Sequence, residues 1–322
     1  MYTPLTARVE IVVTEANAWK TFTASEEVDL PASSVSGLLL EFENSYGGTL
    51  WRKCAARMYG SNDSYVARIA PVGGIAWPVG ISDGKFQVNI SDLTYIKVYA
   101  VGYFTASDHF FSEPIDVSPS SATTWTETDL SPYVPAGVGA IIRVTATADN
   151  YYGARAADST DAITYRTGFG LFIFTKLDES LMVDLYAGSL TPGMQLIGYV
   201  VYGSAVLDTN LTDVDGATSD VYADFAALGS GDAGAGIYNV VTYTPATSYV
   251  GATKFDIRPN GSTTETQLVR AGLMISACDS GGVCEGLGHS GATIKIYQVG
   301  YFTKNVAALI RYGCMMGDYW VG

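Results

Sequence analysis

The chain has 322 residues, with 18 Lys and Arg against 32 Asp and Glu, a formal charge of −14, and 48% hydrophobic residues. This balance excludes a phosphate-neutralising basic surface of the kind that binds nucleic acid, and the apolar and aromatic content excludes intrinsic disorder. Four Cys in so long a chain exclude a disulfide-dense miniprotein, and no run of about 18 apolar residues is present to cross a membrane as a helix.

The first 15 residues alternate, with Val9, Ile11 and Val13 on one face and Arg8, Glu10, Val12 and Thr14 on the other. That is a strand pattern. Glu10 also breaks the continuous apolar core that a secretory signal requires. Further strands follow from the same period of two: Leu38, Leu40 and Phe42, then Phe86, Val88 and Ile90, then Ala140, Ile142, Val144 and Ala146. Turn signals fall between such runs at Gly47-Gly48, Asp83-Gly84, Asn260-Gly261 and Gly281-Gly282. Residues 305–311 are the best helical candidate.

Internal repetition organises these strands. Residues 96–105 read IKVYAVGYFT and residues 294–303 read IKIYQVGYFT, with eight of ten positions identical. Gly198-Tyr199 falls between Gly102-Tyr103 and Gly300-Tyr301. A second marker, an Arg followed after two residues by Gly or Asp and then Ser, begins at Arg57, Arg155 and Arg258, each 42–45 residues before the Gly of a Gly-Tyr pair. A third, Trp19 and Trp125, opens two of the units, with only Tyr222 and Phe225 near the equivalent place in the third. The expected fold is therefore all-β: three tandem β-sandwich, jelly-roll-like domains from an internal triplication. The expected boundaries are a first sandwich with its N-terminal strand at 1–111, a Ser/Pro/Thr-rich linker at 112–124, a second sandwich at 125–206, an acidic linker at 207–220, a third sandwich at 221–304, and an apolar C-terminal tail at 305–322.

Candidate chemistry is sparse. Residues 177–253 carry nine acidic residues and no Lys or Arg, a solvated acidic face or a surface for a basic partner or Ca²⁺. Asp208, Asp213 and Asp215 suggest a calcium loop. However, placing Gly216 at the invariant glycine of an EF-hand puts Leu211 and Tyr222 where oxygen ligands belong, so an Asx-turn linker is the better reading. Cys278 and Cys284 could face each other across a hairpin, as a disulfide or as two thiols; no companion Cys or His at ligand spacing supports zinc. His109 and His289 are the only histidines, and neither lies in a motif that pairs it with Ser or Cys. No phosphate loop is present. No cofactor and no enzymatic activity are expected. Arg57, Arg155 and Arg258 read as structural residues that tie a loop to carbonyls or to an acid of the same unit, with a repeated ligand contact as the alternative.

The second unit carries a resemblance. Trp125, Asp129-Leu130-Ser131 and Val134-Pro135-Ala136-Gly137 precede the strand at 140–147; Tyr152-Gly153-Ala154-Arg155, Ser159-Thr160-Asp161 and Leu196-Ile197-Gly198-Tyr199 follow it. This pattern resembles tandem β-sandwich virion proteins of tailed bacteriophages, of the tail, fibre or head-decoration type. The resemblance implies a non-enzymatic assembly or attachment component in a virion, made in the host cytoplasm without a signal peptide. Its expected partners are itself as a homo-oligomer, other virion proteins and a host-surface glycan, with no nucleic acid and no membrane insertion. The tail residues Met315, Met316, Tyr319 and Trp320 are the expected assembly interface. A secreted array of carbohydrate-binding modules and a self-assembling cell-surface subunit are the alternatives.

Overall fold

The computed structural model describes all residues except 31–33, 147–149, 168–169, 191–192, 215–222, 225–232, 244–254, 260, 262–266, 270–271, 289–292 and 305–322. The described residues form strands that fall into three consecutive sets of eight. The first holds β1 (Tyr2–Glu10), β2 (Lys20–Thr23), β3 (Val35–Asn44), β4 (Arg52–Met58), β5 (Ala67–Ile69), β6 (Gly73–Gly80), β7 (Lys85–Ile90) and β8 (Ile96–Thr105). The second holds β9 (His109–Asp116), β10 (Trp125–Asp129), β11 (Gly139–Val144), β12 (Asn150–Ala156), β13 (Tyr165–Thr167), β14 (Leu171–Lys176), β15 (Met182–Ala187) and β16 (Met194–Val200). The third holds β17 (Ala205–Asp213), β18 (Ala223–Asp224), β19 (Ala233–Tyr243), β20 (Phe255–Pro259), β21 (Gln267–Val269), β22 (Gly272–Ala277), β23 (Cys284–Gly288) and β24 (Thr293–Thr303).

Each set makes two four-stranded antiparallel sheets, and the strand order is the same three times. It is β1-β8-β3-β6 with β2-β7-β4-β5, then β9-β16-β11-β14 with β10-β15-β12-β13, then β17-β24-β19-β22 with β18-β23-β20-β21. Apart from the step between the fourth and fifth strands, successive strands cross between the two sheets, which is the jelly-roll connection. The expected all-β, jelly-roll-like sandwich fold is the one the chain adopts.

Two expected linkers contain strands. Residues 112–124 begin inside β9, which pairs with β16. Residues 207–220 begin inside β17, which pairs with β24. Both are edge strands. An edge strand pairs on one flank only, so it tolerates Pro114 and a polar outer row, and these gave both segments a linker composition.

The two sheets of a unit differ in how they are buried. On β7, Phe86, Val88 and Ile90 are buried and the residues between them are half-buried, as expected of a sheet with one face on the core. On β6 and β11 every residue is buried. Ala140, Ile142 and Val144 of β11 face the core of the second unit, whereas Ile141 joins a cluster that also contains residues of the first and third units. The inner sheets are therefore covered on both faces because the units press against one another. β6, β14 and β22, the same strand of each unit, meet in all three pairings and so lie at the centre. The first strand of each unit lies on the neighbour before it: β9 on β3 and β6, β17 on β12 and β14, and β1 on β19 and β22. The last contact closes the cycle, so one chain forms a ring of three sandwiches.

The Gly-Tyr marker is a bulge. Leu39 and Leu40 oppose Gly102 and Ala100, leaving Val101 as an extra residue. Ile197 and Val299 are skipped in the same way. On the other flank the register of the first strand jumps at the same point, from Pro4 to Val9, from Phe110 to Ile115 and from Leu207 to Thr212. Glycine is needed here because the first strand passes close. Gly300 has φ +148°, and a Cβ on it would collide with the Val206 carbonyl oxygen. Gly300→Ala should therefore destabilise the chain by about 1–3 kcal/mol, read as an earlier urea midpoint. An unchanged midpoint would mean the strand can move aside.

Candidate functional site

The repeated arginines occupy one position on the fourth strand of each unit. Arg57 Nε donates to Gln87 Oε1 at 2.8 Å and its Nη1 to the Asp63 carbonyl at 2.9 Å. Arg155 Nε and Nη2 donate to Asp184 Oδ2 at 3.0 and 2.9 Å, and its Nη1 to the Asp161 carbonyl. Arg258 Nε donates to Glu285 Oε2 at 2.6 Å. Gln87, Asp184 and Glu285 are the register partners of these arginines on β7, β15 and β23. The two tryptophan markers cover the same arginines: the guanidinium carbon of Arg57 lies 4.1 Å from the Trp19 ring centre, and that of Arg155 lies 4.3 Å from Trp125. Burial pulls the Arg57 pKa down against the opposing charges of Asp63 and Glu113. The Ser of the marker shapes the corner that follows, since Ser61 Oγ accepts from Asp63 N at 3.0 Å and Ser159 Oγ from Asp161 N at 3.1 Å. Residues 262–266, Tyr222 and Phe225 lie outside the described residues.

Each described corner extends an aspartate into the next unit. Arg143 on β11 donates from Nη1 to Asp63 Oδ2 at 2.6 Å and from Nη2 to Asp63 Oδ1 at 3.1 Å, across the junction of the first and second units. Arg143 is 2% exposed, and its Nε and Nη2 also donate to Gln195 Oε1 at 3.1 and 2.6 Å. Its guanidinium carbon lies 4.7 Å from the ring centre of Tyr65, whose hydroxyl burial holds in the protonated form. Asn62 N donates to Glu113 Oε1 at 2.7 Å. Between the second and third units the partners differ. Leu211 N donates to Asp161 Oδ2 at 2.6 Å, and Ser159 Oγ donates to Asn210 Oδ1 at 3.0 Å. In the β9–β16 and β17–β24 registers the counterpart of Leu211 is Pro114. Proline has no N–H to give, so Asp63 takes its bonds from Arg143 instead.

One position on the third strand of each unit carries a buried polar residue, and in two units it reaches across a junction. Glu41, Arg143 and Asn239 oppose Tyr99, Gln195 and Tyr297, each three residues before the bulge glycine. All three are buried. Asn239 Nδ2 donates to the Phe174 carbonyl at 2.8 Å and its Oδ1 accepts from Phe174 N at 3.1 Å, so its amide completes the free edge of β14. Glu41 lies 3.7 Å from Arg8, which is also paired with Glu43 and sits 4.1 Å from the Tyr99 ring centre. Burial works against the charge on Arg8, but Glu43 and Glu41 outweigh it and raise its pKa. These residues were not singled out in the sequence, although Arg143 is a lone polar residue inside an apolar strand. Because the polar partners differ between the first–second and second–third junctions, these two junctions are not interchangeable.

Aromatic rings fill the space between. Trp77 of β6 and Phe172 of β14 meet edge-to-face at 5.0 Å. Phe104 touches Phe110 of the second unit at 5.0 Å and Phe302 of the third at 6.0 Å. Phe302 also meets Phe174 at 6.0 Å and Tyr2 at 5.4 Å. A small cleft at the first junction is lined by Arg57, Ser61, Asp63, Trp77, Phe111 and Arg143.

The remaining candidates stand apart from these junctions. Cys278 and Cys284 are free thiols with sulfurs 3.3 Å apart. Hydrogen bonding to Cys284 and burial keep Cys278 protonated, while the bond from Cys278 favours the Cys284 thiolate. Asp213 pairs with Lys295 at 3.0 Å, and burial raises the Asp208 pKa. Asp215 lies outside the described residues, and no group of three metal-ligating side chains occurs among the described ones. His109 meets the tilted Tyr199 ring at 5.1 Å and Phe111 edge-to-face at 4.9 Å, and burial lowers its pKa. His289, Met315, Met316, Tyr319 and Trp320 lie outside the described residues. No helix among the described residues is long and apolar enough to cross a membrane.

No family model and no curated protein matches the chain. Among solved structures, a chain from the atomic structure of Sulfolobus Turreted Icosahedral Virus is similar at 11% identity, over 94% of this chain and 90% of that one. The TM-score is 0.19, which carries no argument about this chain.

Proposed function

We propose that the chain is a non-enzymatic structural protein of a virion, an assembly or attachment component of the tail, fibre or capsid surface of a tailed phage. The observation that carries this reading is the ring: three jelly rolls of one strand order close on one another within a single chain, through interiors made of packing and fixed ion pairs. Such a unit satisfies its own heterologous interfaces and leaves its outer surface for copies of itself and for other virion proteins. The resemblance of the second unit to tailed-phage sandwiches supports the finer assignment. Exposed Tyr133, Tyr151 and Tyr202 are suited to stacking on a host-surface glycan.

Light scattering coupled to size-exclusion chromatography, with electron microscopy of the same fractions, tests the reading. Closed oligomers or ordered arrays are expected from the full chain. A chain that stays monomeric at high concentration and hydrolyses a glycan would overturn it. Deleting residues 313–322, which include Met315, Met316, Tyr319 and Trp320, should leave the urea midpoint unchanged and reduce assembly at least tenfold. Equal assembly by the truncated chain would remove the tail from the interface.

A further inference from the structure

We propose that Cys278 and Cys284 form a reversible oxidation site that closes to a disulfide and ties together the two sheets of the third unit. Cys278 directly follows β22, in one sheet, and Cys284 opens β23, in the other. Their sulfurs are already 3.3 Å apart. The turn between them is held by Asp279, whose Oδ1 accepts from Gly281 N at 2.8 Å and Val283 N at 2.9 Å, while Asp279 N donates to the Val283 carbonyl at 3.0 Å. Cys278 N donates to the Gly234 carbonyl at 3.2 Å, and Cys284 is in register with Pro259. Both backbones are therefore fixed, and side-chain rotation alone must bring the sulfurs to bonding distance. Cys278 is half-buried and Cys284 buried, so an oxidant reaches the pair through Cys278. Cys54 is fully buried in the core of the first unit and does not compete.

The co-reactant is a low-molecular-weight disulfide such as oxidised glutathione. One S–S bond forms between Cys278 and Cys284 and one breaks in glutathione disulfide. The two cysteine protons and two electrons pass to the two glutathione thiols. The turn lies beside the end of β24, since Lys304 Nζ donates to the Ser280 carbonyl at 3.3 Å. Oxidation would therefore stiffen the part of the third unit next to the end of β24.

The test uses the full chain carrying Cys314→Ser, equilibrated with oxidised glutathione. The tryptic peptide 271–295 contains both cysteines. It should become lighter by two hydrogens and resist alkylation, and the protein should unfold at a higher temperature until a reductant is added. Cys284→Ser should instead retain glutathione on Cys278. A peptide 271–295 that keeps two alkylatable thiols, a stable glutathione adduct on the Cys314→Ser chain, or a disulfide-linked dimer of that chain would each overturn the proposal. Assembly is a separate readout, so failure here leaves the proposed structural role standing.

Discussion

Replacing Asp63 by alanine should cost about 3 kcal/mol, read by urea unfolding at neutral pH. Arg143 is 2% exposed and donates two bonds to this carboxylate, at 2.6 and 3.1 Å. Removing the acid leaves a buried guanidinium without its counter-charge, which is worse than removing both partners. The figure sits at the low end of the usual range because Gln195 Oε1 still accepts two bonds from Arg143. The junction, and not the first unit alone, should weaken, because the Asp63 carbonyl that holds Arg57 is untouched. Loss of a single cooperative transition is the expected signature, with the first unit separating from the second. Asp63→Leu combined with Arg143→Leu should recover most of the loss. A change below about 1 kcal/mol in the single variant would reduce the pair to a surface contact.

Trp77→Ala should be the more damaging change, at about 3–5 kcal/mol. Trp77 is 2% exposed on β6, where it meets Phe42 at 5.7 Å, Tyr65 at 6.1 Å and Phe172 of the second unit at 5.0 Å. Truncation opens a cavity at the centre of the ring, and the surrounding strands are pinned by neighbours on both faces and cannot collapse into it. The lost edge-to-face pair with Phe172 adds to the cavity cost. Differential scanning calorimetry should show a lower midpoint for the first two units together. A midpoint shift confined to one unit would mean that the units fold without support from each other.

Much of the architecture is legible in the residues. The three markers lie at one place in each unit for physical reasons: a glycine after a bulge, an arginine across from a seventh-strand partner, and a tryptophan over that arginine in two units. The first strands of the second and third units were not legible. β9 contains Pro114, and β17 contains Asp208 and Asp213, so composition favoured a linker. Only their pairing with β16 and β24 makes them strands. Of the calcium candidates, Asp213 lies in that ladder and pairs with Lys295.

The junction residues divide along the same line. Period-two patterns, turn pairs and repeated markers are local or recur at a fixed offset, so the chain alone determined an all-β fold of three similar sandwiches. Asp63 and Arg143 are 80 positions apart, and Asn239 lies 65 positions from Phe174. Neither pairing leaves a local trace. Which strand faces which neighbour, and that β1 returns to β19 and β22 to close the ring, was decided only in the tertiary structure. Sheets covered on both faces must satisfy each buried polar group across the junction, and that requirement acts through space and not along the chain.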